Sequence, residues 1–428
     1  MSQVNQSGTP HAELSSHDLH STLRYEMCRI AITGLGSINA LGVGVEAFAR
    51  GLRAGTCGIG EVSLFSAAGC RSSRAAEVRG LAPPAWLPRT VARRASRSAL
   101  LALIAAGEAW RTAGLGREDA AGTGVVMGST TGGMATGEEL YRAMVQLRKR
   151  RQFLAGWSET PVSVPADDVA NVFACYGPRL TVSTACSSGA NALGIAADWI
   201  RSGRAEVVVC GGTDSLCQMT YTGFNALQAL DREPCRPFDK RRAGLTLGEG
   251  AAVLVFEHWE RAQRRGARIL GEFVSYGVSA DAHHLTQPRP DGGGAVLATQ
   301  RALQQGGVAI EDIDYINAHG TGTALNDVVE TRAIKSVFGP RAYRIPVTST
   351  KSMVGHCLGA AGAIEALASL LAVRYSFVPP TATLEEPDPE CDLDYVPRTS
   401  RPQTLRTVLS NSYGFGGNNT SLIIRGHE

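Results

Sequence analysis

Short uninterrupted apolar runs alternate along this chain with longer stretches in which apolar residues recur every three or four positions. The runs Gly124–Met127 and Val207–Cys210 carry no polar alternation, the pattern of strands covered on both faces, and Arg29–Gly34, Leu180–Val182 and Ala251–Phe256 also read as strands. Helical spacing fills Val45–Arg53, Arg93–Ala113, Ser187–Arg201 and Gly223–Leu230. The second half repeats the rhythm, with strands at Ile269–Val278, Tyr315–Asn317, Pro346–Thr348, Thr407–Ser412 and Thr420–Ile424. Its helices are predicted over Gly294–Gln305, Thr323–Val337 and Gly359–Tyr375. Strands alternating with helices predict an α/β layered fold with buried sheets. The first half ends near Arg261–Arg268. In each half a short strand leads a reactive-looking residue into a glycine-rich turn, so two similarly built halves should meet at one site, although no sequence repeat is evident.

Glycine punctuates several strand ends. Gly34-Leu35-Gly36 reads as a turn closing the first strand, and with Gly42 it misses the spacing of a dinucleotide-binding loop. Gly128-Ser129-Thr130-Thr131-Gly132-Gly133 opens a helix without the lysine of a phosphate-binding loop, and reads as a close-packed turn beside a pocket. The run Arg148-Lys149-Arg150-Arg151 reads as a solvated helix face.

Bulk properties narrow the choice of chemistry. With 428 residues, 44% of them hydrophobic, the chain can bury a large core. A net charge of +3 is too mild to argue for nucleic acid. Ten cysteines without a CxxC pair argue against a zinc framework, so no metal is expected, and they suit reduced thiols in the cytoplasm. Apolar runs fall short of a bilayer's thickness. Residues 1–27 are polar, include His11, His17 and His20, and read as a flexible extension.

Four stretches carry chemistry. In Val182-Ser183-Thr184-Ala185-Cys186-Ser187-Ser188-Gly189, Cys186 falls where a strand gives way to a helix, where unpaired N–H groups favour a thiolate. A buried structural cysteine is the plainer alternative. His319 lies among small residues in Asn317-Ala318-His319-Gly320-Thr321-Gly322-Thr323. Lys351 and His356 share the loop Ser349–His356. The segment Asn411–Asn419 contains Gly414-Phe415-Gly416-Gly417, whose backbone N–H groups could face an oxyanion. A thiol, two imidazoles, an ammonium and an oxyanion loop exceed the needs of a cysteine protease. They suit a reaction in which a second substrate loses CO₂ and its enolate must be held.

These motifs resemble the active-site set of β-ketoacyl-[acyl carrier protein] synthases, especially synthase II and the type II polyketide ketosynthases. The resemblance also covers Cys235–Ala251 and Leu384–Pro397, and runs from about residue 28 to residue 425. It implies the thiolase fold, two pseudo-symmetric βαβαβαββ halves in five layers (αβαβα), over 28–267 with the nucleophile and 268–428 with the two histidines. It implies an acyltransferase, a 3-oxoacyl-[acyl-carrier-protein] synthase of fatty acid or polyene and polyketide biosynthesis. Cys186 would take the acyl chain, while His319 and His356 assist malonyl decarboxylation. Lys351, paired with Glu365, would organise the site. The N–H groups of Cys186 and Phe415 would form the oxyanion hole, with the Phe415 ring as a gate. Thr321 and Thr323 fall on pantetheine contacts. No cofactor is implied, because substrates ride on the phosphopantetheine of an acyl carrier protein.

A thiolase would carry a second cysteine near the GFGG segment, and none is there. A non-catalytic chain-length subunit would lack Cys186. Two pairings stay open for the chain: with itself or, as the catalytic subunit of a heterodimer, with a chain-length-factor-like partner. Arg93 and Arg94, with Arg97 one turn on, fall where carrier docking residues lie, whereas Gln228 stands where relatives often carry a base. The segment Pro161–Val169 holds two adjacent carboxylates, Asp167 and Asp168. Either they form an acidic first helical turn, or one meets a partner across a subunit interface beside an acyl pocket suited to a more polar or conjugated chain. The TACSSG form of the nucleophile motif leans towards that specialised reading.

Overall fold

The computed structural model describes residues 28–147 and 154–427. The N-terminal extension and the run Arg148–Arg151 lie outside these residues. Ten strands order the fold: β1 (Ile30–Asn39), β2 (Gly124–Gly128), β3 (Arg179–Val182), β4 (Val207–Asp214) and β5 (Gly250–His258), then β6 (Gly271–Ala280), β7 (Tyr315–Asn317), β8 (Val347–Thr348), β9 (Thr407–Gly414) and β10 (Asn418–Arg425). Six helices cover them: α1 (Arg97–Ala113), α2 (Val164–Phe173), α3 (Ser188–Arg201), α4 (Gly293–Gly306), α5 (Asn326–Phe338) and α6 (Ala361–Arg374).

The two sets of five strands have the same topology. The first runs β1-β5-β4-β2-β3 across the sheet and the second β6-β10-β9-β7-β8. In each set the first two pairings are antiparallel and the last two parallel. Each half is therefore βαβαβαββ. The sets join through β1 and β6, paired antiparallel from Ile30↔Phe273 to Ile32↔Gly271. Helices α1 and α2 lie outside the first set, α4 and α5 outside the second, and α3 and α6 pack together between them. The middle position follows from composition. Every residue of α6 from Ala361 to Val373 is buried, and a helix apolar all round must be enclosed on both sides. This is the expected thiolase-type arrangement of five layers.

Several boundaries differ from the sequence reading, each for a packing reason. The glycines of Gly34-Leu35-Gly36 do not form a turn, because β1 runs through them to Asn39. A Cβ on Gly36 would stand 1.8 Å from the Ala105 carbonyl oxygen, and one on Gly34 2.2 Å from that of Ala109. These glycines let α1 lie directly on β1. In the same way β4 continues past Cys210 through Gly211 and Gly212 to Asp214. The helix expected over Arg93–Ala113 is two helices, because Ser96 leaves the helical region and accepts the Ala99 N–H, capping α1. The helix expected at Gly223–Leu230 lies earlier, at Gln218–Ala226.

The paired carboxylates lie in the first half of α2. Asp167 pairs with Arg179 at 2.9 Å, and Asp168, buried, with Arg94 at 2.8 Å. Arg94 also pairs with the buried Glu159. Each carboxylate thus has a cation within the same chain, while Asp168 Oδ2 and Glu159 Oε2 are buried without a hydrogen-bond partner among the described residues.

The α1–β1 contact should be intolerant of a single methyl group. Gly36→Ala should lower stability by about 3 kcal/mol, the upper end of what overpacking costs, because the clash is with backbone. Chemical unfolding measures this, and a loss below about 0.5 kcal/mol would contradict the contact.

Candidate active site

The turn that carries Cys186 is built from a short strand and a strained residue. After β3 the chain turns at Ala185, whose φ of 51° is left-handed, and α3 begins at Ser188. That conformation costs an alanine about 1 kcal/mol and must be held from outside. The Ala185 carbonyl accepts from the Ser188 N–H at 3.1 Å and from its hydroxyl at 2.6 Å, while the same hydroxyl accepts the Thr184 N–H at 2.9 Å. Cys186 is thereby lifted into the mouth of α3. Gly414 abuts this turn, since a Cβ there would lie 2.9 Å from the Thr184 carbonyl oxygen. The amide N–H groups of Phe415 and of Cys186 itself face the sulfur.

The second half supplies the other groups from equivalent strand ends. His319 follows β7, Lys351 and His356 follow β8, and Phe415 follows β9. The two imidazoles stand 5.4 Å apart between ring centroids, nearly perpendicular. Lys351 is buried, and its ammonium has three donors to place. It donates to the His319 carbonyl oxygen at 2.7 Å and to Glu365, and lies 3.3 Å from His319 Nδ1. On the other histidine, Nδ1 accepts the Leu358 N–H at 3.2 Å. With both Nδ1 atoms accepting, each neutral ring carries its proton on Nε2. Burial holds both histidines neutral, well below the ordinary imidazole range, and the Lys351 charge adds to it.

The thiol does not match the thiolate expected at a helix start. Burial pushes Cys186 up to about 11, against the opposing pull of Lys351 and of the Phe415 and Cys186 N–H groups. Low dielectric outweighs the local donors, so the resting group is a thiol.

Cys186, His319, His356, Thr321, Thr323 and Phe415 line a single cavity of about 270 Å³. The hydroxyls of Thr321 and Thr323 lie 2.9 Å apart on its wall. Neither Asp167 nor Asp168 lines it. Arg93 is exposed, but Arg94 is committed to Glu159 and Asp168, and Arg97 to the buried Glu249, so only Arg93 of the three is left facing solvent without such a partner among the described residues. Among the described residues, no group of three or more His, Cys, Asp or Glu could hold a metal ion, and no helix is long and apolar enough to cross a membrane.

Three further residues belong to the site's construction. Glu330, buried on α5, accepts the N–H groups of His319 and Gly320, both at 2.8 Å, and burial raises it to about 7. Eleven positions from His319 on an ordinary-looking helix, it gave no sequence signal. Phe224 stacks on Phe415 at 5.7 Å and also lines the cavity. Asp214 ends β4 fully buried, and an acid closing an otherwise apolar run is a signal that could have been read.

Comparisons with known proteins give the family. Residues 27–262 match the beta-ketoacyl synthase N-terminal domain model and residues 270–385 the C-terminal domain model. A Synechocystis protein named 3-oxoacyl-[acyl-carrier-protein] synthase 2 is 39% identical over 420 residues, covering 94% of this chain and 99% of its own. A putative polyketide beta-ketoacyl synthase 1 of Streptomyces halstedii is 41% identical over 415 residues, covering 94% and 98%. Among solved structures, the ishigamide ketosynthase/chain length factor superposes with a TM-score of 0.89 at 35% identity, covering 94% of this chain and all of that one. By sequence and by fold, the chain belongs to the beta-ketoacyl synthase family.

Proposed function

We propose that this chain condenses an acyl group held on Cys186 with malonyl-[acyl carrier protein], losing CO₂ and forming a 3-oxoacyl thioester. One observation carries the reading: two buried neutral imidazoles, each with Nδ1 occupied, share a cavity with a cysteine at a helix start.

In the first half-reaction, Cys186 Sγ attacks the carbonyl of the carrier-bound acyl thioester. The N–H groups of Cys186 and Phe415 receive the developing oxyanion. The pantetheine thiol leaves with the proton that Cys186 gives up, so the exchange is balanced without a net base. Thr321 and Thr323 offer hydroxyls to the pantetheine arm, and the Phe415 ring, backed by Phe224, gates the second substrate. In the second half-reaction the malonyl thioester carbonyl accepts from Nε2–H of His319 and His356. Cleavage of the C–CO₂ bond leaves its electron pair in the enolate those donors stabilise. The enolate carbon attacks the acyl-Cys186 carbonyl, the C–C bond forms, and the Cys186 sulfur leaves as a thiolate that takes a proton from solvent to return to the resting thiol. Lys351 and Glu365 hold His319 and take no proton.

The acyl carrier protein is the partner this chemistry requires, with Arg93 left to steer it. Strand β3 is a sheet edge with Leu180 exposed, a row of unpaired backbone groups suited to pairing with an identical or a chain-length-factor-like subunit. Ten free cysteines support a reducing, cytoplasmic setting.

Cys186→Ala should abolish chain extension, whereas Cys186→Gln, which resembles the acylated side chain in shape, should retain decarboxylation of malonyl-carrier thioester. Extension by the alanine variant would overturn the assignment. Replacing either histidine by alanine should slow that decarboxylation about 100-fold or more, the usual cost of one oxyanion donor, and a loss below threefold would contradict its role.

The thiol's elevation gives a pH prediction. The thiolate fraction grows with pH up to about 11, so alkylation of Cys186 by iodoacetamide should rise about tenfold per unit between pH 7 and 9. A plateau near pH 7 would show a thiolate already formed at rest.

A further inference from the structure

The glycine-rich turn after β2 remains unexplained by the reaction. Asp214 explains its position. This carboxylate is fully buried and makes no ion pair among the described residues. Hydrogen-bond donors from two loops meet it instead. Oδ1 accepts the Ser129 hydroxyl at 2.7 Å, the Thr131 N–H at 2.8 Å and its hydroxyl at 2.9 Å. Oδ2 accepts the Thr130 hydroxyl, and the Thr130 N–H is shared between both oxygens at 3.0 Å. The last donor comes from the other half of the molecule: the Gly359 N–H, 2.6 Å from Oδ2.

Gly359 directly follows the residue that sets the tautomer of His356. Leu358 has a φ of 48°, left-handed and unfavourable for leucine, and its N–H is the one His356 Nδ1 accepts. Such a conformation persists where the surroundings over-determine it. The His356 side of the turn is tied by backbone, since the His356 N–H donates to the Thr246 carbonyl at 2.7 Å and its own carbonyl accepts the Gly248 N–H at 2.9 Å. The Gly359 side is tied to Asp214. The approach leaves no room for a side chain, because a Cβ on Gly359 would lie 2.7 Å from Asp214 Oδ2 and 2.8 Å from the Thr130 nitrogen.

We propose that Asp214 is a positioning residue for His356. By anchoring the Gly359 N–H against the Ser129–Thr131 turn, it holds Leu358 in its strained conformation, so that the Leu358 N–H occupies His356 Nδ1 and keeps the ring proton on Nε2, towards the cavity. The inference rests on the proposed condensation and assigns it a residue that touches neither substrate nor reacting atoms. In Asp214→Asn one acceptor oxygen becomes an NH₂ group. It cannot accept the Gly359 and Thr130 N–H groups, so the turn loosens and the proton can settle on Nδ1.

The test compares two half-reactions in the full chain. Malonyl-carrier decarboxylation needs His356 as a donor, while acylation of Cys186 uses the oxyanion N–H groups. Asp214→Asn should lower decarboxylation tenfold or more and leave the rate of Cys186 acylation within about twofold. Thr130→Val, which removes one donor to the same oxygen and spares the carboxylate, should lower decarboxylation by a smaller factor with acylation again retained. In ¹⁵N spectra of histidine-labelled protein, the His356 signal, assigned through His356→Ala, should show protonated Nε2 in the parent chain and a mixture of tautomers in Asp214→Asn. Parallel loss of both half-reactions in both variants, or an unchanged His356 tautomer, would overturn the positioning role. A parent chain without decarboxylation would instead overturn the proposed condensation itself.

Discussion

The site depends on one buried ammonium and the three acceptors that surround it. Lys351 is almost wholly removed from water, which is tolerable only because Glu365, the His319 carbonyl and His319 Nδ1 use all three of its protons. Removing one member of such a buried pair typically costs about 3–5 kcal/mol, so the charge constrains its whole neighbourhood. The same contacts fix the orientation of His319, and the Lys351 charge adds to the burial that keeps it neutral. Lys351 and His319 leave successive strand ends of one half, and Glu365 lies on the helix that the other half helps enclose, so the cluster is complete only when the layers are closed.

Repetition of one topology in both halves explains how different groups come together. The loop after the third strand carries Cys186 in the first half and Lys351 with His356 in the second. Helices α3 and α6, which follow these loops, pack through small residues. A Cβ on Gly189 would lie 2.8 Å from the Gly359 carbonyl oxygen, and one on Gly212 2.9 Å from it. Glycine at these positions brings the loops close enough for a thiol and two imidazoles to share a cavity. Asp214 and Glu330 then do comparable work from the two sides: each is a buried acid gathering backbone N–H groups at a strand end.

Much of this was legible in the chain. Buried strands appear as apolar runs, and α6 reads as a helix because its Ala and Leu spacing is unbroken. The four motifs announced the site because reactive side chains lie there among residues too small to shield them. The turns misplaced by glycine show where local reading stops: Gly34, Gly36 and Gly211 lie inside strands, and only the helix or strand packed on them accounts for their lack of a side chain. Asp168 and Arg94 are 74 positions apart in sequence, and Glu330 acts through backbone N–H groups that carry no sequence mark. The protonation of Cys186 escapes the sequence for a related reason. The helix start is visible in the sequence, whereas the depth of burial that outweighs it is a property of the assembled layers.

Ten cysteines make the central assignment directly measurable. Seven are buried, and among the described residues Cys186 is the one that shares a cavity with His319 and His356. Incubating the chain with an acyl-[acyl carrier protein] thioester and mapping the adduct by peptide mass spectrometry tests the assignment most directly. The account predicts one acyl group per chain, on the peptide containing Cys186, released when malonyl-[acyl carrier protein] is added. An acyl group on any other cysteine, or none at all under conditions where the folded chain binds the carrier, would contradict it.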